Sequence, residues 1–210
     1  MPLILEGYGR FLLIQPVFVM TTPLRTLEYL RLKFSFLPEE TFNELSHRLT
    51  RHHLPAGSLL LERGQVCTRA YIMEKGLAHA WYVVNDEPVT AWFAKEFTVF
   101  FSRRSFFCQE PSDECIELLE DSEFLSIAYA DLEDLYAQYP AMNQFGRLLS
   151  HHYMLEQEKR IKMLRRLKGD ERLKRFLAEE PELYRRAPQQ AIATYLGLAR
   201  ETLSRLRRHR

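Results

Sequence analysis

The residues best suited to chemistry in this chain of 210 lie at its end, in YLGLARETLSRLRRHR, Tyr195 to Arg210. Five arginines occupy the last eleven positions. An arginine fork can bond guanine O6 and N7 together, and a glutamate can accept from cytosine N4. Placing Leu203 at a helix core and stepping about 100° per residue tests whether such groups share a side. Ala199, Leu206 and Arg207 fall within about 60° of Leu203. Glu201, Arg205 and Arg208 fall on the far side, flanked by Arg200 and Ser204. One face is apolar and the other presents Arg-Glu-x-x-x-Arg. An exposed helix with a Glu201–Arg205 pair at i,i+4, worth a few tenths of a kcal/mol, has the same spacing. The two roles are compatible, because such a glutamate can orient its arginine.

Charge distribution points to a polyanion. Up to Glu158 the chain holds 13 Lys and Arg against 22 Asp and Glu, a net of −9. From Lys159 onward it holds 16 against 6, a net of +10, and the two add to the chain's +1. A basic C-terminal quarter behind an acidic body suits a nucleic-acid partner; a basic solvated helix face is the bland alternative.

Other chemistry is poorly supported. Cys67, Cys108 and Cys115 are too few and too scattered for a disulfide framework, a zinc site or an iron–sulfur cluster, and are read as three buried thiols. His52-His53 and His151-His152 are adjacent pairs, which do not converge on one metal, so no metal site is expected. Glu96, Asp113 and Glu114 could form an acid/base pair, but nothing marks a nucleophile beside them. No P-loop and no GxGxxG occurs. No enzyme and no cofactor is expected. The apolar N-terminal run is too short and too Pro-broken to span a bilayer, and Met20 is an alternative start.

The elements that would position the arginines follow in order. Leu27 to Leu49 has helical spacing, with Pro38, Glu39 and Glu40 as a helix start. From Leu54 to Ser126 short apolar runs, SLLLE, AYIMEK, LAHAWYVV, VTAWFA, CIELLE and EFLSIA, alternate with turn signals, as in an all-β sandwich or barrel. Asp131 to Tyr139 is helical. Ala141 to Leu167 reads as one long helix of roughly 40 Å. Its apolar residues, Phe145, Leu148, Leu149 and Leu155 among them, suit packing against a second copy. Gly169-Asp170 opens a helix that Pro181 ends, Pro188 opens a second, Gly197 breaks it, and a third starts near Ala199. Two short helices joined through a glycine form the helix-turn-helix pattern.

At this point the chain resembles the Crp/Fnr-type transcriptional regulators over roughly residues 27–208. Gly57, Gly64 and Gly76, in PAGSLLLERG and YIMEKG, fall where the turn glycines of that family's β-roll occur. IATYLGLARETLSRLRR is similar to the family's helix-turn-helix. The resemblance implies an α+β fold: a β-roll (double-stranded jelly roll) with flanking helices, a long dimerisation helix and a C-terminal all-α helix-turn-helix. The expected boundaries are a poorly ordered extension over 1–22, a cyclic-nucleotide-binding-like β-roll over 23–140, the dimerisation helix over 141–168 and the DNA-binding part over 169–210. The resemblance makes Arg200, Glu201 and Arg205 base-reading, and places Gln190, Thr202, Ser204 and Arg208 near phosphate. It implies double-stranded DNA and a second copy as partners, a contact with RNA polymerase, no membrane, and a cytoplasmic location.

The departures concern the effector. Family members that bind cyclic nucleotides carry a Gly-Glu pair and, about ten residues on, an Arg followed by a small residue. Here Lys95 precedes Glu96, and PSDEC carries acids where the Arg belongs, so PSDECIELLEDSEF resembles a sub-branch without cyclic nucleotide. The β-roll is expected either to sense an unknown small molecule other than cAMP, with Phe93, Glu96, Arg103 and Arg104 as pocket candidates, or to serve only as a scaffold. Ala199 stands where Ser or Thr would cap the last helix. ELYRRAP is short for a β-hairpin, so any wing is reduced. The alternative function is a β-roll ligand-binding or protein-interaction module with a nonspecific basic tail.

Overall fold

The computed structural model describes residues 24–208. The expectations for 1–22 and for a start at Met20 lie outside the described residues. In chain order come α1 (Leu24–Lys33), α2 (Glu39–His47), β1 (Thr50–Leu54), β2 (Leu59–Leu61), β3 (Arg69–Lys75) and β4 (Ala78–Val84). β5 (Glu87–Ala94), β6 (Val99–Phe100), α3 (Arg103–Cys108), β7 (Cys115–Leu118) and β8 (Ser122–Ala128) follow. The chain then turns helical, with α4 (Tyr129–Gln138), α5 (Pro140–Arg166), α6 (Gly169–Glu179), α7 (Pro181–Arg186), α8 (Gln189–Tyr195) and α9 (Arg200–Arg208). Two compact units result, one from residues up to 49 with 131–157, the other from 50–130 with 158 onward.

The first unit is helical. Pro38 sits at the cap of α2, with Glu39 and Glu40 in its first turn, where carboxylates meet the positive end of the helix dipole. Arg48 ties α2 to α4 through the Asp134 carboxylate at 2.5 Å and the Asp131 carbonyl at 3.1 Å. Phe145 is buried, and its ring meets Phe34 edge-on at 4.5 Å. Phe145 lies on α5, the helix expected to meet a second copy, and its ring also closes on an aromatic of its own chain. Leu148, Leu149 and Leu155 are half-buried.

The second unit holds the β-roll. Two antiparallel four-stranded sheets, ordered β1-β8-β3-β6 and β2-β7-β4-β5, form the jelly roll expected within an α+β class. They meet through inward aromatics: Trp92 lies 6.1 Å from Phe100, and the Tyr71 hydroxyl donates to the Leu60 carbonyl at 3.3 Å. Asn85 and Asp86, with φ of 51° and 65°, make the two-residue turn that joins β4 to β5. Pro88 is tolerated in β5 because β5 is an edge strand. Gly76, at φ +117°, turns β3 into β4 against Ser122, and a Cβ there would stand 2.1 Å from the Ser122 hydroxyl.

Three local readings change. β1 and β6 carry no apolar run, since TRHHL is polar and VF has two residues. RRSFFC is a short helix, α3, that buries Phe106 and exposes Cys108, so only Cys67 and Cys115 are buried thiols. Pro181 begins α7 at its first turn rather than merely ending α6, and PELYRR, too short for a β-hairpin, is helical.

The C-terminal helices share one core. Leu173 and Phe176 of α6, Leu183 of α7, Ile192 and Leu196 around α8 and Leu203 of α9 are all buried together. Leu77, from the turn between β3 and β4, is wholly buried in the same cluster. The β-roll thus contributes a side chain to the core of the helices that follow it.

Candidate nucleic-acid interface

The turn between α8 and α9 is built by the backbone. The amide of Leu198 donates to the Ala193 carbonyl at 2.9 Å and that of Gly197 to the Thr194 carbonyl at 3.0 Å, the paired bonds of a Schellman ending. Gly197 adopts φ +64°, and Arg172 of α6 approaches so closely that a Cβ would lie 2.9 Å from its Nη1. That guanidinium donates to the carbonyls of Leu196 at 2.5 Å and Gly197 at 3.3 Å. Two short helices are thereby held at a fixed angle.

α9 separates its faces. Leu203 is 1% exposed and Leu206 is half-buried, while Arg200, Glu201, Ser204 and Arg205 are exposed. Among the described residues no ion pair joins Glu201 to Arg205, and neither Arg200 nor Arg205 has a carboxylate partner. Thr202 and Gln190 are half-buried. Arg208 ends α9, and its side chain lies outside the described residues. Ala199 is exposed rather than turned to the core, and its carbonyl accepts the first helical bond, from Leu203, at 3.1 Å. With alanine there, no side chain caps the amides of the first turn.

The four effector-pocket candidates have four different settings. The Phe93 ring lies 5.2 Å from Tyr195 of α8 and 6.1 Å from His79. Glu96 is ion-paired to Arg186 of α7 at 2.8 Å. Arg103 lies over the Trp92 ring at 6.0 Å. Arg104 pairs with Glu110 at 3.3 Å. Glu114, in the stretch where a phosphate-binding arginine was sought, accepts from Trp92 Nε1 at 3.2 Å. Burial pushes its carboxyl up, against the pull of Arg103 and the Trp92 hydrogen bond.

Little in the sequence indicates how the C-terminal helices meet the β-roll. α8 packs on the outer face of the edge strand β5. The Thr90 amide donates to Thr194 Oγ1 at 3.1 Å, and Phe93 meets Tyr195. Arg160 of α5 lies over the Tyr195 ring, its guanidinium 3.9 Å from the centroid. Lys95 pairs with Glu180, and Arg186 pairs with Glu96 and Glu120. Burial pushes the Glu96 carboxyl up, but the Arg186 hydrogen bond, the backbone donors and the Arg186 charge outweigh it and hold the group below the usual range. The only local hint was PELYRR, in which a proline able to open a helix precedes two arginines.

Among the described residues no helix is long and apolar enough to cross a membrane, and no group of three His, Cys, Asp or Glu side chains could hold a metal ion.

Comparison with known proteins fits this architecture. No curated protein sequence matches the chain. The family model for the cyclic nucleotide-binding domain matches residues 51–139, and that for bacterial regulatory proteins of the crp family matches 189–206. FixK2 from Bradyrhizobium japonicum is similar in structure, with a TM-score of 0.66 at 17% identity over 77% of this chain and 83% of its own. The c-di-GMP responsive global regulator CLP of Xanthomonas campestris has a TM-score of 0.66 at 14% identity, over 82% of this chain and 91% of its own. The catabolite activator protein of Thermus thermophilus has a TM-score of 0.53 at 18% identity, over 84% of each chain. These matches are to regulators and not to enzymes. With a jelly roll and a helix-turn-helix on one chain, each matched by its own family model, the protein belongs to the Crp/Fnr family of transcriptional regulators.

Proposed function

We propose that the protein binds double-stranded DNA sequence-specifically, as a homodimer in the cytoplasm, and regulates transcription without cAMP. The observation that carries the reading is the outer face of α9. Arg200, Glu201, Ser204 and Arg205 stand exposed above a buried Leu203, and the two arginine forks lack carboxylate partners among the described residues. Such forks are available to guanine edges, while Gln190, Thr202, Ser204 and Arg208 supply donors for phosphate. The working parts are the β-roll over 23–140, the dimer helix over 141–168 and the DNA-binding helices over 169–210.

The dimer reading is supported by α5. Met154 and Ile161, at i and i+7, are 62% and 51% exposed, and Leu148, Leu149 and Leu155 are half-buried. An apolar line of this kind suits a second copy of the helix. The reading against cAMP is supported by Glu96 and Glu114, which are engaged by Arg186 and Trp92. An effector, if the protein responds to one, is another small molecule, and RNA polymerase is the expected protein partner.

The test is fluorescence anisotropy on operator-length DNA recovered from a random pool. A two-fold symmetric motif is expected, with Arg205→Ala weakening binding by about 1–3 kcal/mol and relaxing preference at one base position per half-site. Binding that is uniform across sequences and indifferent to Arg205→Ala would favour the module with a nonspecific basic tail.

A further inference from the structure

Arg186 ends α7, two residues before Pro188 leads into α8. Its side chain is 25% exposed and its guanidinium uses every nitrogen. Nη1 donates to Glu96 at 2.9 Å, and Nη2 to Glu96 at 2.8 Å, to Glu120 at 2.7 Å and to the Gly76 carbonyl at 2.8 Å. Nε donates to both Glu120 oxygens, at 3.0 and 3.2 Å. The acceptors belong to three different turns of the β-roll, between β3 and β4, β5 and β6, and β7 and β8. The Gly76 amide donates back to Glu96 at 3.0 Å, so the turns are also joined to one another. Two carboxylates held this close need a cation between them, and a planar fork serves both at once where an ammonium cannot.

Other contacts surround this junction. Leu77, next to Gly76, is buried in the core of the C-terminal helices, and Leu119, next to Glu120, packs against the same core. Thr194 and Tyr195 meet Thr90 and Phe93 on the sheet. The exposed side chains of α9 take no part in it. The helices are therefore attached with their reading face open.

We propose that Arg186 is a lock that fixes the DNA-binding helices on the β-roll in one pose, making the roll a rigid mount for α8 and α9. The lock stands on the contacts above, and only its DNA consequence rests on the function proposed here. With the lock in place, β-roll and helices open together; without it, the helices move while the roll keeps its fold.

Hydrogen exchange on the full chain tests this, comparing wild type with Arg186→Ala and Arg186→Lys. In Arg186→Ala the amides of α6 to α9 should exchange about tenfold faster, while β3 and β8 keep their protection. Arg186→Lys should fall between. If Arg186→Ala fails to fold, Glu96→Gln with Glu120→Gln keeps the shapes, removes both charges and should show the same selective loss. Unchanged exchange in α6 to α9, or an equal rise in β3 and β8, overturns the lock. On DNA, Arg186→Ala should bind a single half-site within about twofold of wild type and a two-half-site operator about tenfold more weakly, because loosely mounted heads lose avidity. Equal affinity for the operator would overturn the lock. If wild type binds no operator, the DNA reading fails and the exchange arm still decides the lock.

Discussion

Two arginine groups in the C-terminal helices are treated in opposite ways. Arg186 is satisfied by two carboxylates and a carbonyl from the β-roll, whereas Arg200 and Arg205 stand exposed with no carboxylate partner among the described residues. Both occur in strongly basic surroundings, in ELYRRAP and ARETLSRLRR. The difference lies in the helix face each occupies. An arginine turned toward the roll meets acids that the fold has gathered, and one turned outward keeps its fork for a ligand. Local charge density therefore does not separate a structural arginine from a binding one; the partner reached across the chain does.

Breaking the shared core should erase both behaviours. Leu203 and Ile192 are 1% and 0% exposed, and Leu203→Ala or Ile192→Ala should lose about 2–5 kcal/mol in urea unfolding, with DNA binding lost as well. Gly76→Ala attacks the docked side, together with the turn of the roll that carries it. A Cβ 2.1 Å from the Ser122 hydroxyl, at φ +117°, should cost about 2–4 kcal/mol and loosen the Arg186 site, since Gly76 bonds both Arg186 and Glu96. Arg205→Ala attacks the open side alone. It should leave the urea midpoint unchanged and weaken operator binding by about 1–3 kcal/mol.

The smallest effect is expected from His79, on the sheet face beneath α8. Burial lowers its pKa below 6.5, against the pull of Glu117 at 3.5 Å. The unfolded chain then binds the proton more readily than the folded one. Stability is full above pH 6.5 and falls as pH drops from there toward the lowered value. Replacing His79 with Gln should flatten that slope in urea titrations between pH 5 and 7; an unchanged slope would assign it to other groups.

Much of the fold was legible because it is locally encoded. Gly57, Gly64, Gly76 and Gly197 all adopt positive φ, and each had marked a turn in the sequence. Leu203 and Leu206 lie on the inner side of α9 as the 100° wheel implies, but Ala199 does not, because the wheel knows nothing of where a helix begins. β1 was missed because its histidines and arginine hide the alternation of a strand. The contact of Phe145 with Phe34 was not legible, because an apolar helix position does not name the residue it packs on. The Arg186 site was beyond reach: its two acids lie 90 and 66 residues away, and no periodicity spans such gaps.

The hydrogen bond from the Thr90 amide to Thr194 has a consequence for solubility. β5 is an edge strand, and an edge amide left open is a template on which another chain can add a strand. By accepting that bond, α8 doubles as a cover for the edge. Variants that loosen the helices should therefore show their damage first as concentration-dependent aggregation, with growth of intermolecular β-structure, before any loss of the roll itself.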